Sequence, residues 1–230
     1  MIKEKKIDLY ADGLNLDEFD TDFGIEIDGY TFNPSLFKKN GATDYLEYSK
    51  KVVSKCNSKP VSLEVFADEE SEMIKQAEIL STLGKNVYVK IPVTFTNKFF
   101  TTKVISNLIK KNIKLNITAL FTMPQIEEVL PAVKETETIL SVFAGRIFDC
   151  GQDAAKLMKE ISLKVKKEGK CKVLWASPRM PYDYINAIVC GSDIITMQSS
   201  QIKKLKLFEK TPDDYSLETV KQFFKDASSS

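Results

Sequence analysis

Two rhythms of apolar residues alternate along the chain. Short runs rich in β-branched and aromatic residues repeat with a period of two, and longer stretches between them repeat with helical spacing. The period-two runs are 7–12, 29–33, 61–65, 86–93, 114–121, 138–145, 172–177 and 192–197. Helical spacing marks 44–56, 68–83, 99–112, 123–136, 151–168 and 181–190. The second of these opens on the acidic residues Asp68, Glu69 and Glu70, which suit a helix N-terminus, and Gly84 closes it. Eight strands alternating with helices predict a parallel α/β sheet. At 230 residues, eight such units favour a closed (β/α)8 barrel, the TIM-barrel fold, over an open doubly wound sheet. One domain then covers 1–230, with 216–230 as an additional C-terminal helix and tail that caps the barrel or crosses to a neighbouring subunit.

Strand parity separates two sets of residues, because alternate side chains face opposite sides of a sheet. One set is uniformly apolar: Ile7, Leu9, Ala11; Val61, Leu63, Val65; Val87, Val89, Ile91; Leu115, Ile117, Ala119; Leu140, Val142, Ala144. It reads as the face packed against helices. The opposite set holds Asp8, Asp12, Thr31, Asn33, Ser62, Glu64, Lys90, Asn116, Thr118, Ser141, Phe143 and Ser177. Barrel interiors are ordinarily filled by branched apolar residues, and burying carboxylates, amides and a lysine there is costly unless they bond one another or a ligand. Most of the polar residues lie toward the C-terminal ends of their strands, where barrels of this kind carry their active sites.

Composition narrows the chemistry. The chain has no histidine, which excludes Ser-His and Cys-His triads and histidine acid–base work. Cys56, Cys150, Cys171 and Cys190 are widely spaced and read as reduced, mostly buried thiols. The formal net charge of +1 gives no global field for nucleic acid or an anionic membrane. With no long apolar run and no signal-peptide pattern at the N-terminus, the expectation is a cytoplasmic protein. Of the 33 basic residues only Arg146 and Arg179 are arginine, and arginine grips phosphate bidentately where lysine does not.

These constraints favour one mechanism. A lysine desolvated inside a barrel loses its charge more readily and can attack a carbonyl as the free amine. The iminium so formed is an electron sink for carbon–carbon cleavage, so the chemistry needs no metal and no cofactor. Lys90 is the candidate nucleophile. Asp12, at the end of the first strand, is the candidate general base for the substrate hydroxyl, unless it only caps the turn that follows. Glu64 and Thr118 are placed to move protons through a water, or else to bond internally. Arg146 follows the sixth strand and Arg179 the seventh, so with Ser177 they would form a phosphate clamp in one sector of the mouth.

The same residues fall in blocks that resemble the transaldolase family, in particular its short branch, which includes fructose-6-phosphate aldolases. DLYAD, YTFNPSL (30–36), VKIPVT (89–94), LNITALFT (115–122), SVFAGRIFD (141–149) and WASPR carry the resemblance over nearly the whole chain. It implies Lys90 as Schiff-base nucleophile, Asp12 as acid–base residue, and Glu64 and Thr118 as handlers of the catalytic water. It further implies that Asn33, Asn116 and Ser141 hold the hydroxyls of a dihydroxyacetone unit, and that Arg146, Ser177 and Arg179 bind phosphate. Transaldolases of the family have glutamate and phenylalanine where Glu64 and Phe143 stand, whereas the aldolases have glutamine and tyrosine. Transfer of a dihydroxyacetone unit from a ketose phosphate to an aldose phosphate is therefore expected, as in the pentose phosphate pathway. A lyase releasing dihydroxyacetone and a non-catalytic phosphosugar-binding barrel are the alternatives. The implied partners are phosphorylated sugars and further copies of the chain, with neither nucleic acid nor membrane. Tyr30 and Phe32 depart from the family pattern beside Asn33; both have helix-facing parity.

Overall fold

The structure, a computed structural model, describes residues 7–228. Its strands close on themselves in chain order: β1 Asp8–Asp12, β2 Gly29–Thr31, β3 Val61–Glu64, β4 Val87–Pro92, β5 Leu115–Leu120, β6 Ile139–Val142, β7 Lys172–Trp175 and β8 Ile194–Met197. All neighbours are parallel, and β8 pairs with β1 through Asp8–Ile194 and Ala11–Met197. The expected (β/α)8 barrel is thus present, each strand being shorter than its apolar run because the last residues of several runs turn out of the sheet.

The helices are α1 Pro34–Lys39, α2 Tyr45–Lys55, α3 Glu70–Ser81, α4 Thr102–Lys110, α5 Met123–Val133, α6 Ala144–Asp149, α7 Ala154–Glu168, α8 Asp183–Val189, α9 Ser199–Ile202 and α10 Pro212–Ser228. Local sequence explains several of their starts. Asp44 and Asp153 cap α2 and α7 by accepting from the backbone N–H three residues on, and Thr122 with Gln125 forms a reciprocal capping box on α5. The start of α3 differs from the expectation. Asp68 lies outside the helix and accepts from Thr96 N and Oγ1, tying the loop after β3 to the loop after β4. Gly84 sits beyond the C-cap, which is Thr82.

Outward-facing strand residues and inward-facing helix residues form one continuous apolar layer, including Leu9, Leu63, Val89, Ile91, Leu115, Ile117, Leu140 and Val142. Tyr30 and Phe32 belong to this layer, the Phe32 ring packing at a tilt against Phe37 of α1. Inside the barrel, Tyr10, Ile139, Leu174, Ala176 and Ile194 make a separate apolar floor, with Tyr88 and Phe143 packed against it. The polar mouth sits above this floor.

Strict alternation breaks at two places. Ala119 was expected to face the helices, but β5 carries an irregularity between Ile117 and Leu120, and Ala119 has φ 57°. Leu120 takes the buried outer position instead, as a bulge shifts parity by one residue. Ser177 follows β7 rather than belonging to it, and with φ 59° it turns toward the barrel axis by its backbone twist, not by strand alternation.

The C-terminal helix begins at Pro212, earlier than position 216, and no residue in it is buried, so it does not cap the barrel.

Candidate active site

A cavity of about 450 Å³ opens at the C-terminal mouth, lined by side chains from seven of the eight strand ends or the loops that follow them. Lys90 rises into it from β4 and is only 5% exposed. Its Nζ donates to Phe32 O at 3.1 Å and lies 2.9 Å from Glu64 Oε2. β3 and β4 pair Glu64 directly with Lys90, so the ion pair follows from the strand register. Tyr45 of α2 fixes the end of β3: its hydroxyl donates to Glu64 O at 2.6 Å and accepts from Glu64 N at 3.1 Å.

Asp12 ends β1 and lines the same cavity. Burial holds its carboxyl above the usual carboxylate range; the positive charge of Lys90 and a hydrogen bond from Thr31 oppose this, while Glu64 adds to it. A carboxylate that accepts protons readily, next to a buried amine, is the pairing expected of acid–base work on a carbonyl substrate. Asp8, at the other end of β1, lies 4.0 Å from Lys172 and takes no part in the cavity.

Thr118 lines the cavity, and its buried Oγ1 has no hydrogen-bond partner within the protein. An orphaned hydroxyl facing a cavity is a ready contact for a water or a ligand. Ser141 also lines the cavity and donates to Asn116 Oδ1 at 2.7 Å. Asn116 itself is fully buried below the lining, where its Nδ2 donates to Ser62 Oγ at 3.0 Å. It supports Ser141 from beneath rather than facing the open space. Asn33 has a structural duty as well, since its Oδ1 accepts from Leu36 N at 2.9 Å and caps α1. It nonetheless lines the cavity.

Both arginines reach the rim of this one cavity. Arg146, on α6, places its guanidinium 5.2 Å from the centre of the Phe143 ring. Arg179 is gripped by Asp149, whose carboxylate accepts from Nε at 3.0 Å and also from Nη2. This bidentate pair holds the Asp149 carboxyl below its usual range and engages Nε and Nη2 of Arg179.

Sequence reasoning did not single out Gly145, Asp149, Thr196, Gln198 or Gln201. Gly145 allows the loop after β7 to cross α6: a Cβ there would lie 1.6 Å from Ser177 O. Gln201 donates to Pro178 O at 2.9 Å and steadies the same loop. Gly145→Ala is therefore expected to displace Ser177 and Arg179 and to cost on the order of 1–3 kcal/mol of stability by overpacking, which thermal melts check.

A lysine-bearing (β/α)8 barrel with a basic rim is the class that fold and site define together. The chain belongs to the transaldolase/fructose-6-phosphate aldolase family, which it matches over residues 9–229. A protein named probable transaldolase from Thermoplasma volcanium is 33% identical over 210 residues, 89% of this chain and 90% of its own length. Another of that name from Methanococcus vannielii is 37% identical over 180 residues, covering 78% of this chain and 80% of the relative. Among solved structures, one described as native KDPGal superposes with a TM-score of 0.57 at 11% identity, covering 90% of this chain and 96% of the other. That likeness concerns the barrel alone. Among the described residues, no helix is long and apolar enough to cross a membrane.

Proposed function

We propose that the protein is a transaldolase that moves a dihydroxyacetone unit from a ketose phosphate, such as sedoheptulose 7-phosphate or fructose 6-phosphate, to an aldose phosphate. The observation that carries this reading is a single amine, 5% exposed, sharing one cavity with Asp12 and both arginines.

In this reading Lys90 attacks the ketose C2 carbonyl as the free amine. Glu64, within direct reach of Nζ, takes the proton that the ammonium sheds. With Thr118 it returns a proton to the carbinolamine oxygen, which leaves as water. Asp12 then removes the proton of the C4 hydroxyl, and the electrons of the C3–C4 bond move into the iminium. An aldose phosphate departs and an enamine remains on Lys90. The acceptor aldehyde is attacked by the enamine carbon while Asp12 hands its proton to the new hydroxyl. Water then adds to the iminium, releases the product ketose and restores Lys90. Arg146, Ser177 and Arg179 hold the phosphate, Asn33 and Ser141 the hydroxyls of the three-carbon unit, and Asn116 acts from beneath through Ser141.

Phe143 supports transfer over simple cleavage. It places an aromatic ring with no hydroxyl beside the cavity, so it offers the enamine no proton for release of free dihydroxyacetone. Borohydride reduction in the presence of fructose 6-phosphate tests the reading. A mass increment mapping to the peptide that contains Lys90 is expected, and its absence from the wild-type protein would abandon it. Release of dihydroxyacetone without an acceptor, at a rate equal to transfer, favours the lyase instead.

The proposal extends to self-association through α10, which exposes Tyr215, Leu217, Val220, Phe223 and Phe224 at 51–75%. Sedimentation of the full chain as a monomer rules this out.

A further inference from the structure

Asp12 is held by a chain of hydroxyls that crosses from β8 to β2. Thr31 Oγ1 donates to Asp12 Oδ1 at 2.7 Å, and the same oxygen lies 2.5 Å from Thr196 Oγ1. Each hydroxyl has one proton to give. That of Thr31 is committed to the carboxylate, so Thr196 is the donor in the second bond. The chain therefore runs from Thr196 to Thr31 to Asp12. β1 pairs with β2 on one side and β8 on the other; Thr31 lies opposite Asp12, and Thr196 opposite Tyr10, the preceding inward-facing residue of β1. They are 2% and 4% exposed, and both line the cavity.

We propose that Thr31 and Thr196 are positioning residues that fix the orientation of the Asp12 carboxylate and keep it in its proton-accepting form. This rests on the reading of Asp12 as the acid–base residue. Three groups act on the carboxyl besides burial: Lys90 from β4 and Thr31 from β2 favour the ionised form, whereas Glu64 from β3 opposes it. Thr196 acts from β8 through Thr31. The help from Lys90 depends on its charge. During attack on the ketose the amine is neutral, and until the iminium restores a positive charge only the hydroxyl remains of the groups favouring ionised Asp12. Thr196 strengthens it, since a hydroxyl that accepts a hydrogen bond is a better donor.

A titration that needs no turnover tests this. The side-chain carboxyl of Asp12 is followed by NMR in protein labelled at aspartate, with Asp12→Asn assigning the signal. In Thr31→Val, Asp12 should bind its proton about tenfold more tightly, a midpoint about one pH unit higher. Thr196→Val should give a smaller change in the same direction, and Thr31→Ser should restore the wild-type midpoint. The acid limb of kcat/KM should move with the titration. Unchanged midpoints in both valine variants overturn the brace. The two substitutions lie on different strands, so loss of folding in one leaves the other to decide. If the midpoints move but wild-type protein forms no reducible adduct with fructose 6-phosphate, the brace stands and the proposed activity falls.

Discussion

Lys90→Met is expected to lower sugar transfer by at least ~10⁴-fold, because in the proposed reaction loss of the covalent nucleophile removes the whole path rather than one interaction along it. Lys90 is the one lysine among the described residues that line the cavity, so no neighbouring amine is placed to substitute. Methionine keeps the length and apolar stem of the side chain, and the barrel should fold. Two acceptors lose their donor, Glu64 Oε2 and Phe32 O. Glu64 keeps a side-chain exposure of 20%, enough for water to replace the lost contact. Coupled-enzyme kinetics on the purified variant give the rate, and far-ultraviolet circular dichroism checks the fold. Activity above ~1% of wild type would remove Lys90 from its assigned role.

Asp12→Asn should lower kcat by roughly 10²–10⁴-fold, the range associated with a positioned general acid or base. Its signature is different from that of Lys90→Met. The reducible adduct with Lys90 should still form, since Schiff-base formation is assigned to Glu64 and Thr118, and cleavage of the carbon–carbon bond should fail. Stability should change in the opposite direction to activity. A carboxyl whose folded-state proton affinity is raised contributes stability at low pH, and that contribution is lost as pH rises through its folded-state midpoint. Asparagine does not ionise. The variant should therefore melt higher than wild type near neutral pH, with the gap closing as the solution is acidified. Calorimetry across that range reads the difference directly, and a variant that melts lower at every pH contradicts the assignment of burial as the dominant influence on Asp12.

Much of the architecture was legible because a parallel barrel imposes the same two-sided pattern on every strand. Val89 and Ile91 had to be apolar against helices, so Lys90 between them had to point inward. That argument needs only alternation, and it holds for Asp12, Glu64, Asn116 and Ser141. It fails where the backbone departs from alternation. Ala119 sits in a bulge, and Ser177 turns inward through a left-handed residue that no periodicity reveals. Short elements escaped for a related reason. α1 and α6 have six residues each, too few to show a helical period, and α6 carries Arg146 and Asp149. Gly145 gave no signal because its value lies in the passage of a distant loop. Thr196 sits in an otherwise apolar run, IITM, and its inward hydroxyl gains meaning only beside Thr31.

The apolar floor of Tyr10, Ile139, Leu174, Ala176 and Ile194 closes the barrel below the cavity. Departing aldose and arriving aldose must then use the same doorway, one after the other. Under the transfer reading the first product has to vacate the pocket before the second substrate can occupy it, which forbids a ternary complex. Initial rates measured over a grid of donor and acceptor concentrations should give parallel double-reciprocal lines, and the released aldose should inhibit competitively against the acceptor aldose but non-competitively against the donor ketose.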